Sequence, residues 1–246
     1  MAHIRTWKEL QKLGTTPAED QLIEACKKGG FCQLEDGELP REGSPAPSRH
    51  IRADVLRYLI LGGCAGCKVD DIGVWIKGAH VTGTLDLDFT TARGAIRMHN
   101  SRFEERIDCE QTKCRQLELS GSNLQGLHGP TMKVTGSVFL RGITTNATIA
   151  LNSATIGGQL SCEKAIFEIK EGDALFAQGA DIAADVFLKE ITTNATIALN
   201  SATIGGQLNC EKAIFEVEEG DALFAQDTKI SGGLMWLKIF CSKMAT

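Results

Sequence analysis

Apolar residues recur through most of the chain in a short motif. From Ile72 onward a small residue is followed by apolar residues two, six and eight positions later. Its clearest copies start at Ala79, Ser101, Met132, Ala154, Ala180, Ala202 and Thr228. The apolar anchors Val134, Ile156, Ile182, Ile204 and Ile230 are 22, 26, 22 and 26 residues apart. Such a period is typical of a solenoid, whose coils gain a core by stacking on one another.

Two successive coils form a unit of 48 residues, and this unit is duplicated. Residues 143–178 recur as 191–226 with 33 of 36 positions identical. The segment ITTNATIALNSATIGGQL is rich in β-branched residues and interrupted by Asn and Gly, which favours short strands and tight turns. Counting from Ile72 to Lys238 predicts about seven coils, or a rod of ~34 Å at roughly 4.8 Å per coil.

The first 63 residues have helical signals instead. Thr16 is a candidate N-cap, Pro17 suits the first helical position, and Glu19 stands at the capping-box position. The pair Gly29 and Gly30 is predicted to end this helix.

A second helix is predicted between Ser48, a candidate N-cap, and the pair Gly62 and Gly63. Its apolar residues have helical spacing: Ile51, Val55, Leu56, Leu59 and Ile60. The segment 36–47 is rich in Gly, Pro and Ser and predicts a loop. Because the first coil follows at once, the apolar side of this helix is expected to pack on that coil.

The patterns together predict a mainly β chain. Residues 1–63 form an α-helical N-terminal cap, residues 64–240 a β-solenoid, and residues 241–246 a C-terminal tail. The cap covers one open strand edge. Only Ile239 to Thr246 follow the last coil, so the coil around Trp236 and Phe240 is a candidate homodimer surface. The alternative is that the tail folds over the core.

Composition agrees with a narrow solenoid interior. The 246 residues are 43% hydrophobic but only 6% aromatic, and 26 are glycine. The N-terminal sequence MAHIRTWKELQKLG lacks the apolar run of a secretory signal, which predicts a cytoplasmic protein. Its nine cysteines are then expected to be reduced. No apolar run approaches the ~18 residues needed to cross a bilayer, so no membrane partner is expected.

Charge is concentrated in the duplicated region. The net charge is −5, and residues 143–226 contain twelve acidic residues and four lysines. Two sets of carboxylates recur 48 residues apart: Glu163, Glu168, Glu171 and Asp173, then Glu211, Glu216, Glu219 and Asp221. Because two coils rise roughly 10 Å, stacking predicts an acidic ridge. Such a ridge attracts a basic partner and imitates a nucleic-acid backbone. The alternative is a face that only favours solubility.

Two thiols have a spacing that carries chemistry. Cys64 and Cys67 form a C-x-x-C pair, which can supply half of a zinc site or a redox couple. The alternative is a glycine-rich turn with small side chains, and no cofactor is predicted. Cys109, Cys162 and Cys210 occupy the last apolar position of the motif and are expected in the core.

A small group of carboxylates is also predicted to be in register on adjacent coils. Asp86 and Asp88 flank Leu87, and Asp108 and Glu110 flank Cys109. Outward carboxylates on one face of a β-helix are a candidate catalytic site, although such positions are more often only solvated. The five histidines lack metal-ligand spacing. The repeated asparagines Asn146, Asn152, Asn194 and Asn200 are expected at turns.

The runs HIRADVLRYLILGG, GVWIKGAHVTGTLDLDF and GGQLSCEKAIFEIKEGDALFAQGADIAADVFL resemble bacterial cytoplasmic proteins related to the pentapeptide-repeat family. The resemblance covers most of residues 20–236, and SGSNL, at Ser120 to Leu124, is among the better five-residue repeats. It implies a right-handed, roughly square β-helix. It also implies kinship with acidic, DNA-mimicking binders of nucleic-acid enzymes such as type II topoisomerases.

The function that follows is a non-enzymatic interaction scaffold or inhibitor. Its acidic face is expected to bind a protein partner with a basic surface, for example a nucleic-acid-binding enzyme that it blocks or shields. No direct contact with nucleic acid is expected. The alternative is a metal or redox sensor at Cys64 and Cys67, or a carboxylate-dependent enzyme at Asp86 and Asp108.

Overall fold

Most strands of the solenoid have only two residues, with one side chain directed inward and one outward, because a corner lies at each end of the strand. The computed structural model describes residues 3–217 and 220–235, together with the backbone of residues 240 and 241. In this part the chain forms a parallel β-solenoid with four faces, and its third face has seven strands. Successive coils pair in parallel and in register. The predicted mainly β solenoid with an N-terminal helical region is confirmed.

The strands are grouped by face, in the order in which each coil visits the faces. The first face comprises β1 (Cys32–Gln33), β5 (Gly73–Lys77), β8 (Ala95–His99), β12 (Leu117–Glu118), β16 (Val138–Phe139), β20 (Leu160–Ser161), β24 (Val186–Phe187), β28 (Leu208–Asn209) and β32 (Leu234–Met235). The second comprises β2 (His50–Arg52), β6 (His80–Thr82), β9 (Arg102–Phe103), β13 (Asn123–Leu124), β17 (Thr144–Thr145), β21 (Ile166–Phe167), β25 (Thr192–Thr193), β29 (Ile214–Phe215) and β33 (Phe240–Cys241).

The third face comprises β7 (Leu85–Asp86), β10 (Ile107–Asp108), β14 (Leu127–His128), β18 (Ile149–Ala150), β22 (Leu175–Phe176), β26 (Ile197–Ala198) and β30 (Leu223–Phe224). The fourth comprises β11 (Lys113–Cys114), β15 (Lys133–Val134), β19 (Thr155–Ile156), β23 (Asp181–Ile182), β27 (Thr203–Ile204) and β31 (Lys229–Ile230). A separate antiparallel hairpin comprises β3 (Gly63–Cys64) and β4 (Cys67–Lys68).

The predicted core cysteines are buried, but they do not form one column. Cys162 and Cys210 lie inside the corner between the first and second faces, whereas Cys109 lies inside the corner between the third and fourth. The prediction of core positions is confirmed for all three. The prediction that the three cysteines occupy the same position along the coil was wrong. The apolar motif fits both halves of a four-sided coil, so it does not tell the two corners apart.

The two coils of a unit have complementary interiors. At matching inward positions the first coil has Ile143 and Thr145, and the second has Ala165 and Phe167. A large side chain on one coil therefore stacks on a small one of the next, which keeps the interior densely filled. The 48-residue unit is thus a packing period as well as a repeat of sequence.

Two of the four corners need a residue in the left-handed backbone region. At the corner between the first and second faces φ lies between 44° and 72° at Asn100, Gly121, Gly142, Lys164, Glu190 and Lys212. At the corner between the third and fourth faces φ lies between 51° and 64° at Phe89, Gln111, Thr131, Ser153, Gly179, Ser201 and Asp227. Most of these residues are not glycine, and each non-glycine residue at such a corner stores some backbone strain.

The helices are α1 (Trp7–Leu13), α2 (Pro17–Lys27) and α3 (Ala53–Ile60). The predicted capping box of α2 is confirmed: Thr16 Oγ1 accepts the Glu19 N–H and Glu19 Oε2 accepts the Thr16 N–H. The predicted cap of α3 at Ser48 is wrong. The Ser48 hydroxyl donates to the Glu35 carboxylate instead. Ile51 belongs to β2, because residues 50–52 pair with β6 and form a strand.

The cap extends the solenoid as well as covering it. β1 pairs with β5 and β2 with β6, while α3 lies beside β7, where Arg57 Nε donates to the Asp86 carbonyl oxygen at 2.7 Å. The fully buried Glu19 carboxylate bonds Arg52 Nη2 at 2.7 Å and links α2 to β2. The first coil edge is thereby covered by strands and by α3. Residues 36–47 contain no helix or strand, as predicted.

The described helices include none that is long and apolar enough to traverse a lipid bilayer. The predicted homodimer surface stays a prediction. Trp236 lies outside the described residues, and of Phe240 only the backbone is described.

Candidate functional site

The carboxylates predicted to form one ridge occupy two different corners. Glu163 and Glu211 lie at the corner between the first and second faces. The same position is held by Arg141 on the coil before Glu163, and by Lys189 on the coil between Glu163 and Glu211. Arg141 Nε lies 3.8 Å from Glu163 Oε2, and Lys189 Nζ lies 3.5 Å from Glu211 Oε2. This corner therefore carries alternating charges in a column.

The other carboxylates lie on two loops at the corner between the second and third faces. Residues 168–174 connect β21 to β22, and residues 216–222 connect β29 to β30. We call these segments the acidic loops. The intervening coil turns the same corner with only residues 194–196, so each acidic loop is four residues longer. The predicted ridge residues found here are Glu168, Glu171, Asp173, Glu216 and Asp221; Glu219 lies outside the described residues.

The first acidic loop is fixed by an asparagine of the next coil. Asn194 Oδ1 accepts the Ile169 N–H at 2.8 Å, and Asn194 Nδ2 donates to the Ile169 carbonyl oxygen at 2.9 Å. Asn194 was expected at a turn, and it lies at the corner between the second and third faces. Its side chain bonds the backbone of the preceding coil and not only groups of its own turn.

A groove on the third face lies between the two acidic loops. Phe176 and Phe224 point outward from β22 and β30, and Ala198 of β26 lies between them. The space is about 360 Å³. Its other polar lining residues are Asp173, Asp221, Thr196, Gln178 and Asn200. We call this site the third-face groove.

Two features make the third-face groove suited to a cation. Asp173 and Asp221 come from matching positions of the two acidic loops, and aromatic rings stand on both sides of a floor formed by Ala198. Burial raises the pKa of Asp173, so this carboxylate gains from a cationic neighbour. The aromatic residues were not among the sequence-based site residues. Their only signal is the alternation of Ala150, Phe176, Ala198 and Phe224 along one face.

The second carboxylate group lies in a cleft beside the cap. The predicted register is confirmed, since Asp86 pairs with Asp108 on adjacent strands. The cap adds His3, whose ring lies 3.2 Å from Asp54 Oδ1 and 3.2 Å from Asp86 Oδ2. Arg106 Nε bonds Asp108 at 2.6 Å. The cleft encloses about 560 Å³, and its carboxylates are already engaged by neighbours within the chain.

The Cys64 and Cys67 pair lies in the hairpin of β3 and β4, with the two residues opposite each other. Cys67 is buried and Cys64 is half-buried. Within residues 3–217 and 220–235, no three His, Cys, Asp or Glu side chains converge on a point that would hold a metal ion. The geometry of the described residues therefore gives no support to a zinc site at this pair.

Comparison with known proteins adds no relative. No family model, curated protein or solved structure matches this chain.

Proposed function

We propose that the chain is a non-enzymatic binding scaffold whose third-face groove and acidic loops bind an arginine-bearing segment of a basic protein. The observation that carries this proposal is the presence of Asp173 and Asp221 on either side of one groove, each beside an outward phenylalanine. The duplication supplies both sides of the third-face groove, because each 48-residue unit contributes one acidic loop and one aromatic ring.

The chemistry of arginine fits these groups. A guanidinium group stacks on an aromatic ring and at the same time donates two hydrogen bonds to a carboxylate. The rings of Phe176 and Phe224 come from coils separated by roughly 10 Å, with the small Ala198 between them. This separation leaves room for a side chain to enter from solvent. Lysine makes no bidentate contact and is expected to bind less tightly.

The resemblance to the pentapeptide-repeat family extends the proposal to the partner's class. A parallel solenoid is compatible with that family, and an acidic rod of this kind is suited to the basic surface of a nucleic-acid-binding enzyme. In this proposal the chain occupies that surface and blocks or shields it from nucleic acid.

A short peptide of alternating arginine and glycine residues tests the groove directly. Fluorescence anisotropy would measure its affinity for the wild type and for Asp173→Asn/Asp221→Asn. The double variant is expected to weaken binding about tenfold or more, since hydrogen bonds between charged groups contribute roughly 1.5–3 kcal/mol each. The effect should shrink as salt is added.

The matched control is Glu163→Gln/Glu211→Gln. It removes two carboxylates from the same two coils, but at the corner where they already pair with Arg141 and Lys189. Its effect on affinity is expected to be under about twofold. Equal weakening in both double variants would mean that net charge alone attracts the peptide, and the groove proposal would be wrong.

The aromatic residues have a control of their own. Phe176→Ala/Phe224→Ala removes the rings of the groove, whereas Phe139→Ala/Phe187→Ala removes two outward rings from the first face, also two coils apart. Only the first pair is expected to weaken the arginine peptide. A competition assay then tests the partner class: the wild type, but not Asp173→Asn/Asp221→Asn, should displace labelled duplex DNA from a type II topoisomerase. Full retention of DNA would contradict the nucleic-acid-mimic part of the proposal.

A further inference from the structure

Cys64 lies at the junction of cap and solenoid, in the hairpin that follows α3. Cys64 and Cys67 are directly opposite in the antiparallel pair, and the exposed Ala65 and Gly66 form the turn. Opposed residues of such a pair have Cα atoms about 4.5–5.5 Å apart. A disulfide joins Cα atoms ~4.4–6.8 Å apart, so the backbone of this pair already has a separation that suits a disulfide.

The Cys64 sulfur accepts hydrogen bonds from two other parts of the cap. The O–H of the buried Tyr58, on α3, lies 3.0 Å away, and the N–H of Trp7, on α1, lies 3.3 Å away. Trp7 also lies close to Gly66, where an added Cβ would come within 3.0 Å of the Trp7 ring, and Lys27 Nζ lies 4.9 Å from that ring's centroid. Hydrogen-bond donors aimed at the sulfur favour the thiolate over the thiol.

Cys64 differs from every other cysteine whose side chain the structure describes. It is half-buried, and the others are buried. The hydrogen bond from Tyr58, and after it the backbone amide of Gly66, lowers the pKa of Cys64. Burial raises the pKa of Cys67 and Cys109, and it raises the pKa to about 12 at Cys26, Cys32, Cys114, Cys162 and Cys210.

We propose that Cys64 is a redox-active thiolate that reacts with hydroperoxides and forms a disulfide with Cys67. The Cys64 thiolate attacks one oxygen of the peroxide, the O–O bond breaks, and the alkoxide or hydroxide leaves and takes up a proton. Cys64 is now a sulfenic acid. The Cys67 thiol then loses its proton to water and attacks the Cys64 sulfur, and the S–O bond breaks with release of water.

This step converts two thiols and one hydroperoxide into a disulfide, an alcohol or water, and a second water. A low-molecular-weight dithiol would restore both thiols. The disulfide replaces the charged sulfur acceptor used by Tyr58 and Trp7 with a neutral and weaker one, which weakens the link between α1 and the hairpin. The inference is independent of the third-face groove, which lies on later coils.

Labelling of the native wild-type protein tests the reactivity of Cys64. Iodoacetamide followed by peptide mapping should modify Cys64 about tenfold or more faster than the buried Cys109 or Cys162. Substoichiometric hydrogen peroxide should yield a linked Cys64–Cys67 peptide. In Cys67→Ser, dimedone should trap a sulfenic acid at Cys64. Labelling no faster than at Cys109, or peroxide products that omit Cys64, would overturn the proposal.

Tyr58→Phe tests whether Tyr58 positions the sulfur and stabilises its charge. The variant removes one oxygen, and the inflection in the plot of iodoacetamide rate against pH should move upward. The other titratable groups near the hairpin, Cys67, Lys27 and Glu24, are unchanged. A merely structural role would change the unfolding midpoint and leave that inflection in place, and this result would overturn the role assigned to Tyr58.

Discussion

Buried threonines make the alternating core possible at the scale of single residues. Thr145 and Thr193 are fully buried, and each hydroxyl closes a local turn by donating to the carbonyl oxygen two residues later, at 2.7 and 2.8 Å. Each stacks beside an inward phenylalanine of a neighbouring coil. A small β-branched residue that satisfies its own polar atom is therefore what the position requires.

Thr193→Val keeps the shape of the side chain and removes the hydroxyl. We expect the free energy of unfolding to fall by about 1–3 kcal/mol, because the Ala195 backbone groups lose their buried partner. Chemical denaturation with circular dichroism measures it. Thr203→Val, at an exposed outward position on the fourth face, is the control and should change stability by under ~0.5 kcal/mol. Equal losses at both positions would contradict the role of the buried hydroxyl.

At the scale of elements, the length of each corner segment determines which residues form the surface there. The strands of successive coils are nearly interchangeable, but in the duplicated region the corner between the second and third faces alternates between three and seven residues. The longer version becomes an acidic loop, and the shorter version supplies Asn194, which fixes the preceding loop. The two coils of a unit thus have different roles: one carries the loop and the other holds it.

Asn194→Ala should release the first acidic loop without unfolding the solenoid. Two hydrogen bonds to the Ile169 backbone are lost, so we expect a cost of about 1–3 kcal/mol and faster amide hydrogen exchange at Ile169. Asn146→Ala is the matched control, because Asn146 occupies the same corner but bonds the Gln125 side chain instead. If exchange at Ile169 stayed at the wild-type rate, Asn194 would not be the residue that fixes the loop.

The duplication acts at the scale of the whole molecule by adding a complete packing unit. Residues 143–190 comprise one coil with Ile143 and Thr145 and one with Ala165 and Phe167. Lengthening the rod by both coils preserves the alternation of large and small side chains. It also doubles the acidic loops and creates the groove between Phe176 and Phe224.

Deleting residues 143–190 joins Gly142 to Ile191 and reproduces the original sequence context. We expect a cooperatively folded protein shorter by roughly 10 Å in small-angle scattering, without affinity for the arginine peptide. Deleting only residues 165–190 is the control. It stacks Ile143 on Ile191 and Thr145 on Thr193, so it should melt at a lower temperature although it keeps one more coil. The reverse order of melting temperatures would contradict the two-coil packing period.

The period, the duplication and most core positions follow from the sequence alone. The reason is that an inward residue must be apolar on every coil, and this leaves a repeated pattern such as Val134, Ile156, Ile182 and Ile204. The capping box of α2 could likewise be predicted from the sequence, since it depends on contacts between residues only three positions apart. These features are local or strictly periodic.

The tertiary structure decided which residues share a face. The corners carry left-handed residues such as Lys164 and Ser201 that do not mark a turn as glycine would, so the phase of each coil was hidden. Stacking then places residues 22 or 26 positions apart side by side. It separated Glu163 from Asp173 and placed Lys189 beside Glu211. It also brought Phe176 and Phe224 to one groove. The reason is that residues that are neighbours in a solenoid lie on different coils and far apart in the chain.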